Sequence, residues 1–186
     1  DGSGQYCSKN GQVKFFHRRL KIQDLTDMSA QRMYSKDKTT ILIFNGEIYN
    51  HLDLRDALER DRGPIAWRGH SDTETLLEGI SHWGLSETLM RSYGMFALAV
   101  WDVETRTLSL ARDRMGEKPL FLAQLGQKWA FASEMPALCV LPDLNADINL
   151  DVAASQIATG VVPDKSSILK GVRKVPPGTV LTISAT

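Results

Sequence analysis

Four kinds of side chain in this sequence could do chemistry together. Asn45 and Gly46 close an apolar run in T-T-I-L-I-F-N-G-E-I-Y-N, residues 39–50. A side-chain amide beside a free backbone N–H is a pair of neutral donors, able to meet where negative charge develops on a reacting carbonyl oxygen. Glu47 follows at once, positioned to face a cation. Asp72 stands just after Ser71, where a helical pattern begins, and could accept hydrogen bonds from an ammonium group. Arg19, in His17-Arg18-Arg19-Leu20, carries a fork of donors that grips a carboxylate through two parallel hydrogen bonds, which lysine cannot do.

Each of these residues also has a structural use. Asn-Gly is a frequent hairpin turn, and on the dipeptide alone that is the commoner outcome. Glu47 suits a surface turn equally well. Acids favour helix N-termini for dipole reasons, which would account for Asp72. Arg19 fits a solvated basic cluster, and His17 has no serine or cysteine visibly paired with it. Arg112-Asp113-Arg114-Met115-Gly116 reads as a salt-bridged surface turn, and nothing near Cys7 would lower its thiol pKa. Taken together, one arginine, two acids and an amide-bearing turn describe a cradle for a zwitterionic amino acid with a carboxamide side chain, which is glutamine.

The elements that must position these groups follow from periodicity. Residues 39–44 are β-branched and aromatic over strand length, so they predict a buried strand, with Asn45-Gly46 turning the chain. Leu54, Ala57 and Leu58 predict an amphipathic helix over 51–60, ended by Asp61-Arg62-Gly63-Pro64. A short strand is expected over 65–68. Ser71 and Glu74 form a capping-box pattern, and Leu76, Leu77, Ile80 and Trp83 supply the helix stripe behind it. A second short helix is expected over 86–91. Strands are expected over 12–16, 95–101, 107–111, 120–123, 129–132 and 179–183, the middle four as hairpins. Single helical turns or short helices fall at 134–138 and 150–158. Residues 1–4 look turn-like and 22–29 loop-like. Strands and helices come in blocks without βαβ alternation, which argues for an α+β fold with antiparallel sheet.

The bulk numbers exclude more than they assert. Lys plus Arg equals Asp plus Glu at 22 each in 186 residues, so nothing electrostatic recommends nucleic acid or an anionic membrane. No run has the length of a membrane span. Cys7 and Cys139 are the two cysteines, without metal-type spacing, which suits a reduced, cytoplasmic protein.

These segments, in this order, resemble the glutaminase domain of class II glutamine amidotransferases, and within them the glutamine-hydrolysing asparagine synthetases. The stretches that carry the likeness are residues 1–4, His17–Leu20, Phe44–Asn50, Ser71–Glu74, Gly94–Asp102, Ala111–Leu120 and Phe131–Leu138. Gly171–Leu181 resembles the segment leading toward the family's synthetase half. F-N-G-E-I-Y-N with a downstream S-D-T-E and R-D-R-x-G-x-K-P-L is a specific combination. Phe16, where a small residue often precedes the His, and Arg32, where Pro is common, depart from the pattern.

The resemblance implies an N-terminal-nucleophile (Ntn) hydrolase fold, a four-layer αββα sandwich of two antiparallel sheets. It implies a glutaminase domain over residues 1–159 and an extended segment, 160–186, leading toward a synthetase domain. Arg19 would hold the α-carboxylate of glutamine, Asn45 and Gly46 would form the oxyanion hole, and Glu47 and Asp72 would bind the α-ammonium group. The implied activity of the complete protein is asparagine synthase (glutamine-hydrolysing), with no metal or cofactor in this domain and ATP with Mg2+ serving the synthetase domain. The implied partners are glutamine and that domain, and a homodimer is compatible with the family. The family's nucleophile is an N-terminal Cys whose α-amine assists as base. Residue 1 here is Asp and aligns inside the family domain, so this stretch by itself is expected to be inactive, and Cys7 lies in the wrong segment to substitute. Two other readings stay open: an amidotransferase domain serving another ATP-dependent amidation (envelope sugar, peptide or antibiotic), and a non-catalytic glutamine-binding or assembly module.

Overall fold

A computed structural model describes residues 2–8, 10–19, 34–163 and 165–184. The expected loop at 22–29, Leu20 and Arg32 lie outside the described residues, as does the side chain of Arg19.

The chain opens with two strands, β1 (Gly2–Cys7) and β2 (Lys14–Arg19), paired antiparallel with Gly2 opposite Arg19 and Cys7 opposite Lys14. The turn-like reading of residues 1–4 is therefore wrong over residues 2–4, and residue 1 lies outside the described residues. Gly-Ser-Gly has poor strand propensity, and pairing with a neighbouring strand overrides it. The strand β3 (Thr40–Ile48) follows, then helix α1 (His51–Arg62), helix α2 (Asp72–Trp83), helix α3 (Leu85–Arg91) and strands β4 (Gly94–Asp102) and β5 (Thr107–Arg112). Next come β6 (Phe121–Leu125), β7 (Lys128–Ala132), α4 (Met135–Cys139), α5 (Leu150–Thr159), β8 (Val172–Lys174) and β9 (Val180–Ser184). The three sheets run β1-β2, β3-β4-β5-β9 and β7-β6-β8. No strand forms over 65–68.

The described residues divide into two compact units. The first holds residues 1–94, 99–109 and 182–186, the second 95–98 and 110–181. In the first, β3 buries Thr40, Ile41, Leu42, Phe44 and Ile48, as its β-branched and aromatic composition requires. Leu54 and Leu58 of α1 and Leu76 and Leu77 of α2 are buried with them. Helices α2 and α3 approach closely because position 79 is glycine: a Cβ there would lie 2.8 Å from Thr88 Cγ2.

In the second unit, β6 pairs antiparallel with both β7 and β8, and the β6–β7 turn uses Gly126 at φ 61°. Ala123, Leu138 and Val172 form its buried centre, with Phe121, Leu141 and Leu169 packed against them. Helix α5 is capped by the Asn149 side chain, which accepts from Val152 N–H at 3.4 Å, and ends at Gly160 in the left-handed region.

Candidate active site

The site residues are placed by the end of β3 and the start of α2. The expected turn at Asn45-Gly46 does not form. The strand runs straight through both residues to Ile48. Gly46 has a φ of 156°, a value residues with a Cβ rarely adopt, and the chain stays extended through it. The Asn-Gly signal was read as a reversal because it usually is one. Here the glycine's freedom is spent on an unusual strand conformation instead. Asn45, Gly46 and Glu47 are half-buried.

Close approach of β4 completes this end of the strand. A Cβ on Gly94 would lie 2.1 Å from the Glu47 carbonyl oxygen and 2.9 Å from Ile48 Cα, so only glycine fits. Asn50 ties the turn after β3 to the start of β4. Its Nδ2 donates to the Arg91 carbonyl at 2.9 Å, its Oδ1 accepts from Tyr93 N–H at 2.8 Å, and Tyr49 N–H donates to the Tyr93 carbonyl at 2.7 Å.

Asp72 is brought to the same place from 24 residues away. Its Oδ2 accepts the N–H of Ile48 at 3.0 Å, one residue beyond Glu47. The carboxylate is buried. Burial raises its pKa above the ordinary carboxylate value, against the pull of the N–H groups of Ile48 and Thr73 and of nearby His51. The structure thus joins Asp72 to the Asn45–Glu47 strand end.

Asp72 is held there by a support that sequence reasoning missed. Arg55 of α1 is buried. Its Nε donates to Thr75 Oγ1 at 2.8 Å, one terminal nitrogen to the Gly69 carbonyl at 2.8 Å, and the other to the Ser71 carbonyl at 3.0 Å. The guanidinium also lies over the Trp67 ring, 4.1 Å from its centroid. All three guanidinium nitrogens donate in this clamp, and the clamp fixes the first turn of α2. The available signal was an arginine directly beside Leu54 on the helix's buried side.

The capping box is half right. Ser71 Oγ accepts from Glu74 N–H at 3.3 Å, as expected. The Glu74 carboxylate does not reach back to the cap. It is buried and accepts from Arg68 N–H at 2.9 Å and Gly69 N–H at 3.0 Å, with Arg55 3.8 Å away. Glu74 therefore shapes the loop leading into the site.

His51, the first residue of α1, was also missed. Burial pushes its pKa down and Arg55 acts the same way, while Asp72 and Glu47 oppose them. These influences put His51, Arg55, Asp72 and Glu47 in one electrostatic neighbourhood. The Nδ1 of His51 is buried and makes no hydrogen bond.

Arg19 ends β2, and its backbone pairs with Gly2. Cys7 ends β1 and is exposed, as is Cys139. Among the described residues no group of three or more His, Cys, Asp or Glu side chains could hold a metal ion, and no helix is long and apolar enough to cross a membrane.

The expected surface turn at 112–116 is a buried hub. Asp113 is 1% exposed, and its carboxylate accepts four backbone N–H groups: Met115 and Glu117 at 3.0 Å on Oδ1, Lys118 at 3.0 Å and Phe96 at 3.2 Å on Oδ2. Burial alone would raise its pKa, and the N–H groups of Lys118, Glu117, Phe96 and Gly116 overcome that and hold it below the ordinary value. Arg112 donates to the carbonyls of Lys118 at 2.7 Å, Val175 at 2.9 Å and Gly116 at 2.6 Å. The alternating charges suggested ion pairs. Both side chains instead satisfy backbone groups that a compact loop cannot pair with itself.

Comparison with known proteins identifies the family and the fold. The family "Glutamine amidotransferase domain" matches over residues 1–186. A putative glutamine-hydrolyzing asparagine synthetase of Mycobacterium tuberculosis is 38% identical over 95% of this chain, and asparagine synthetase 1 of Bacillus subtilis is 38% identical over 98%. The chain spans 28% of the length of each of those relatives. Among solved structures, the glutamine phosphoribosylpyrophosphate amidotransferase of B. subtilis aligns over 81% of this chain with a TM-score of 0.53 at 23% identity. A glutamine aminotransferase class-II domain protein of Silicibacter pomeroyi aligns over 99% of it with a TM-score of 0.50 at 16% identity. Those likenesses show the fold, an α+β, Ntn-hydrolase-like sandwich with antiparallel sheets. With a family match along its whole length, the chain belongs to the glutamine amidotransferase domain family.

Proposed function

We propose that this chain is the glutaminase domain of a glutamine-dependent asparagine synthetase. It binds glutamine and releases ammonia, which a second domain of the same polypeptide uses to amidate aspartate. The observation that carries the reading is the 3.0 Å hydrogen bond from Ile48 N–H to Asp72, because it unites two motifs distant in sequence at one strand end.

In this reading Arg19 pairs with the α-carboxylate of glutamine, and Glu47 and Asp72 receive the α-ammonium group. A cysteine thiolate outside these 186 residues attacks the side-chain amide. The Asn45 amide and the Gly46 N–H stabilise the tetrahedral oxyanion, ammonia leaves, and water releases glutamate from the thioester. ATP with Mg2+, bound on the other domain, supplies activation of the aspartate carboxylate. Residues 1–159 form the amidotransferase unit, and 160–186 run on toward the amidating domain, with two strands tied into the sheets on the way. The reading places the protein in the cytoplasm and allows a homodimer.

The test is glutamate release by the full-length protein. Asn45→Ala removes one oxyanion donor and should lower kcat by about 10²–10³-fold with little change in KM. Turnover indifferent to that substitution would refute the reading. Supplying ATP, Mg2+ and aspartate should yield asparagine, and glutaminase activity without asparagine formation would point to a different acceptor.

A further inference from the structure

Helix α5 is turned inside out relative to an ordinary surface helix. Its one buried residue is Val152, while Leu150 is 74% exposed and Ile157 88% exposed. At 100° per residue, Leu150, Ala154 and Ile157 fall within one narrow stripe, on the side opposite Val152. Ala154 and Ala158 are exposed too. The residues flanking the helix continue the pattern, with Ile148 and Val161 both more than half exposed. No charged side chain lies within the stripe; Asp151 stands well to one side of it. An amphipathic helix that presents its aliphatic face outward marks an interaction surface.

We infer that the Leu150–Ala154–Ile157 face of α5 is the seat of the amidating domain of the same polypeptide. This rests on the functional reading above. Two observations select that occupant. The asparagine synthetases that match this chain carry nearly three quarters of their length beyond the matched part, so a large covalently attached partner is part of the reading. The stripe is aliphatic and uncharged, which suits the dry centre of a permanent interface and not a transient polar contact.

The first test needs no activity. In the full-length protein, Ile157→Cys is introduced and the rate of maleimide labelling at that position is followed by peptide mass spectrometry, with native Cys7 and Cys139 as exposed references. Labelling at least tenfold slower than the references, unchanged on dilution to monomer, is expected. Labelling as fast as the references would overturn the inference. So would labelling that quickens as a dimer dissociates, since the stripe would then face a second copy. The second test uses Ile157→Asp. Glutamate release and ammonium-dependent amidation should persist, while asparagine formed per glutamine hydrolysed falls at least threefold. An unchanged yield would overturn the inference. Because labelling decides coverage whether or not glutamine is hydrolysed, failure of the functional reading and failure of this surface are distinguishable.

Discussion

At the scale of single residues, Asp72 does two jobs that pull against each other. Its carboxylate satisfies a backbone N–H, which favours the charged form, and it is buried, which disfavours it. Burial wins, so Asp72 protonates at a pH above the ordinary carboxylate value. If it receives the substrate's ammonium group, glutamine affinity should weaken as pH falls through that raised value, because the neutral acid loses its attraction. Asp72→Asn keeps an acceptor for Ile48 N–H. We expect it to fold normally, to bind glutamine at least tenfold more weakly, and to lose this pH dependence in calorimetric titrations. An Asn variant with wild-type affinity would remove Asp72 from the site. Asp72 itself could be singled out from sequence because acids that follow a Ser cap are easy to see. Arg55 was passed over, although it stands beside Leu54, because an isolated arginine in a helix is ordinarily a solvated side chain.

At the scale of elements, the site depends on two close fits. Arg55 fastens α1 to the first turn of α2 and the loop before it through three hydrogen bonds and a ring contact. Arg55→Met would strip a donor from the Gly69 and Ser71 carbonyls and from Thr75 Oγ1, and would remove the cation beside the buried Glu74 carboxylate. A loss of about 3–5 kcal/mol is expected, read from the urea midpoint, and Arg55→Lys should not restore it because an ammonium lacks the fork. Gly94 is the second fit. Gly94→Ala would drive a methyl group into Glu47 and Ile48. Overpacking of this kind costs about 1–3 kcal/mol, and displacing Glu47 by an ångström should lower kcat/KM by about 10²-fold. Most elements were legible in the sequence, α1, α2 and the β4–β5 pair to within a residue or two, because their apolar periods are long and uninterrupted. Asn45-Gly46 and residues 2–7 were misread for a shared reason. Local turn chemistry pointed one way, and hydrogen bonding to a neighbouring strand decided otherwise.

At the scale of the molecule, two buried carboxylates give opposite contributions to acid stability. The folded protein holds Asp113 below its ordinary pKa. Its stabilisation is complete above the ordinary carboxylate value and is lost as pH falls through the depressed one. Asp72, raised, carries a penalty that appears as pH rises through its folded value. Asp113→Asn should therefore lower stability at neutral pH by about 3 kcal/mol or more, since a charged acceptor for four N–H groups is replaced by a neutral one. It should also flatten the acid limb of a stability–pH curve. A curve with unchanged slope would show that the hub does not govern acid unfolding.

The strand orders β5-β9 and β6-β8 have a bearing on biosynthesis. During translation, the strands made near residues 110 and 123 wait for partners made some 50 to 70 residues later. Until those emerge from the ribosome, two sheet margins stand open with unpaired backbone groups, a template for association with neighbouring nascent chains. Assembly of this region is thus governed by its slowest, most distant pairings, and chaperone demand should peak in the interval before residues 172–184 emerge.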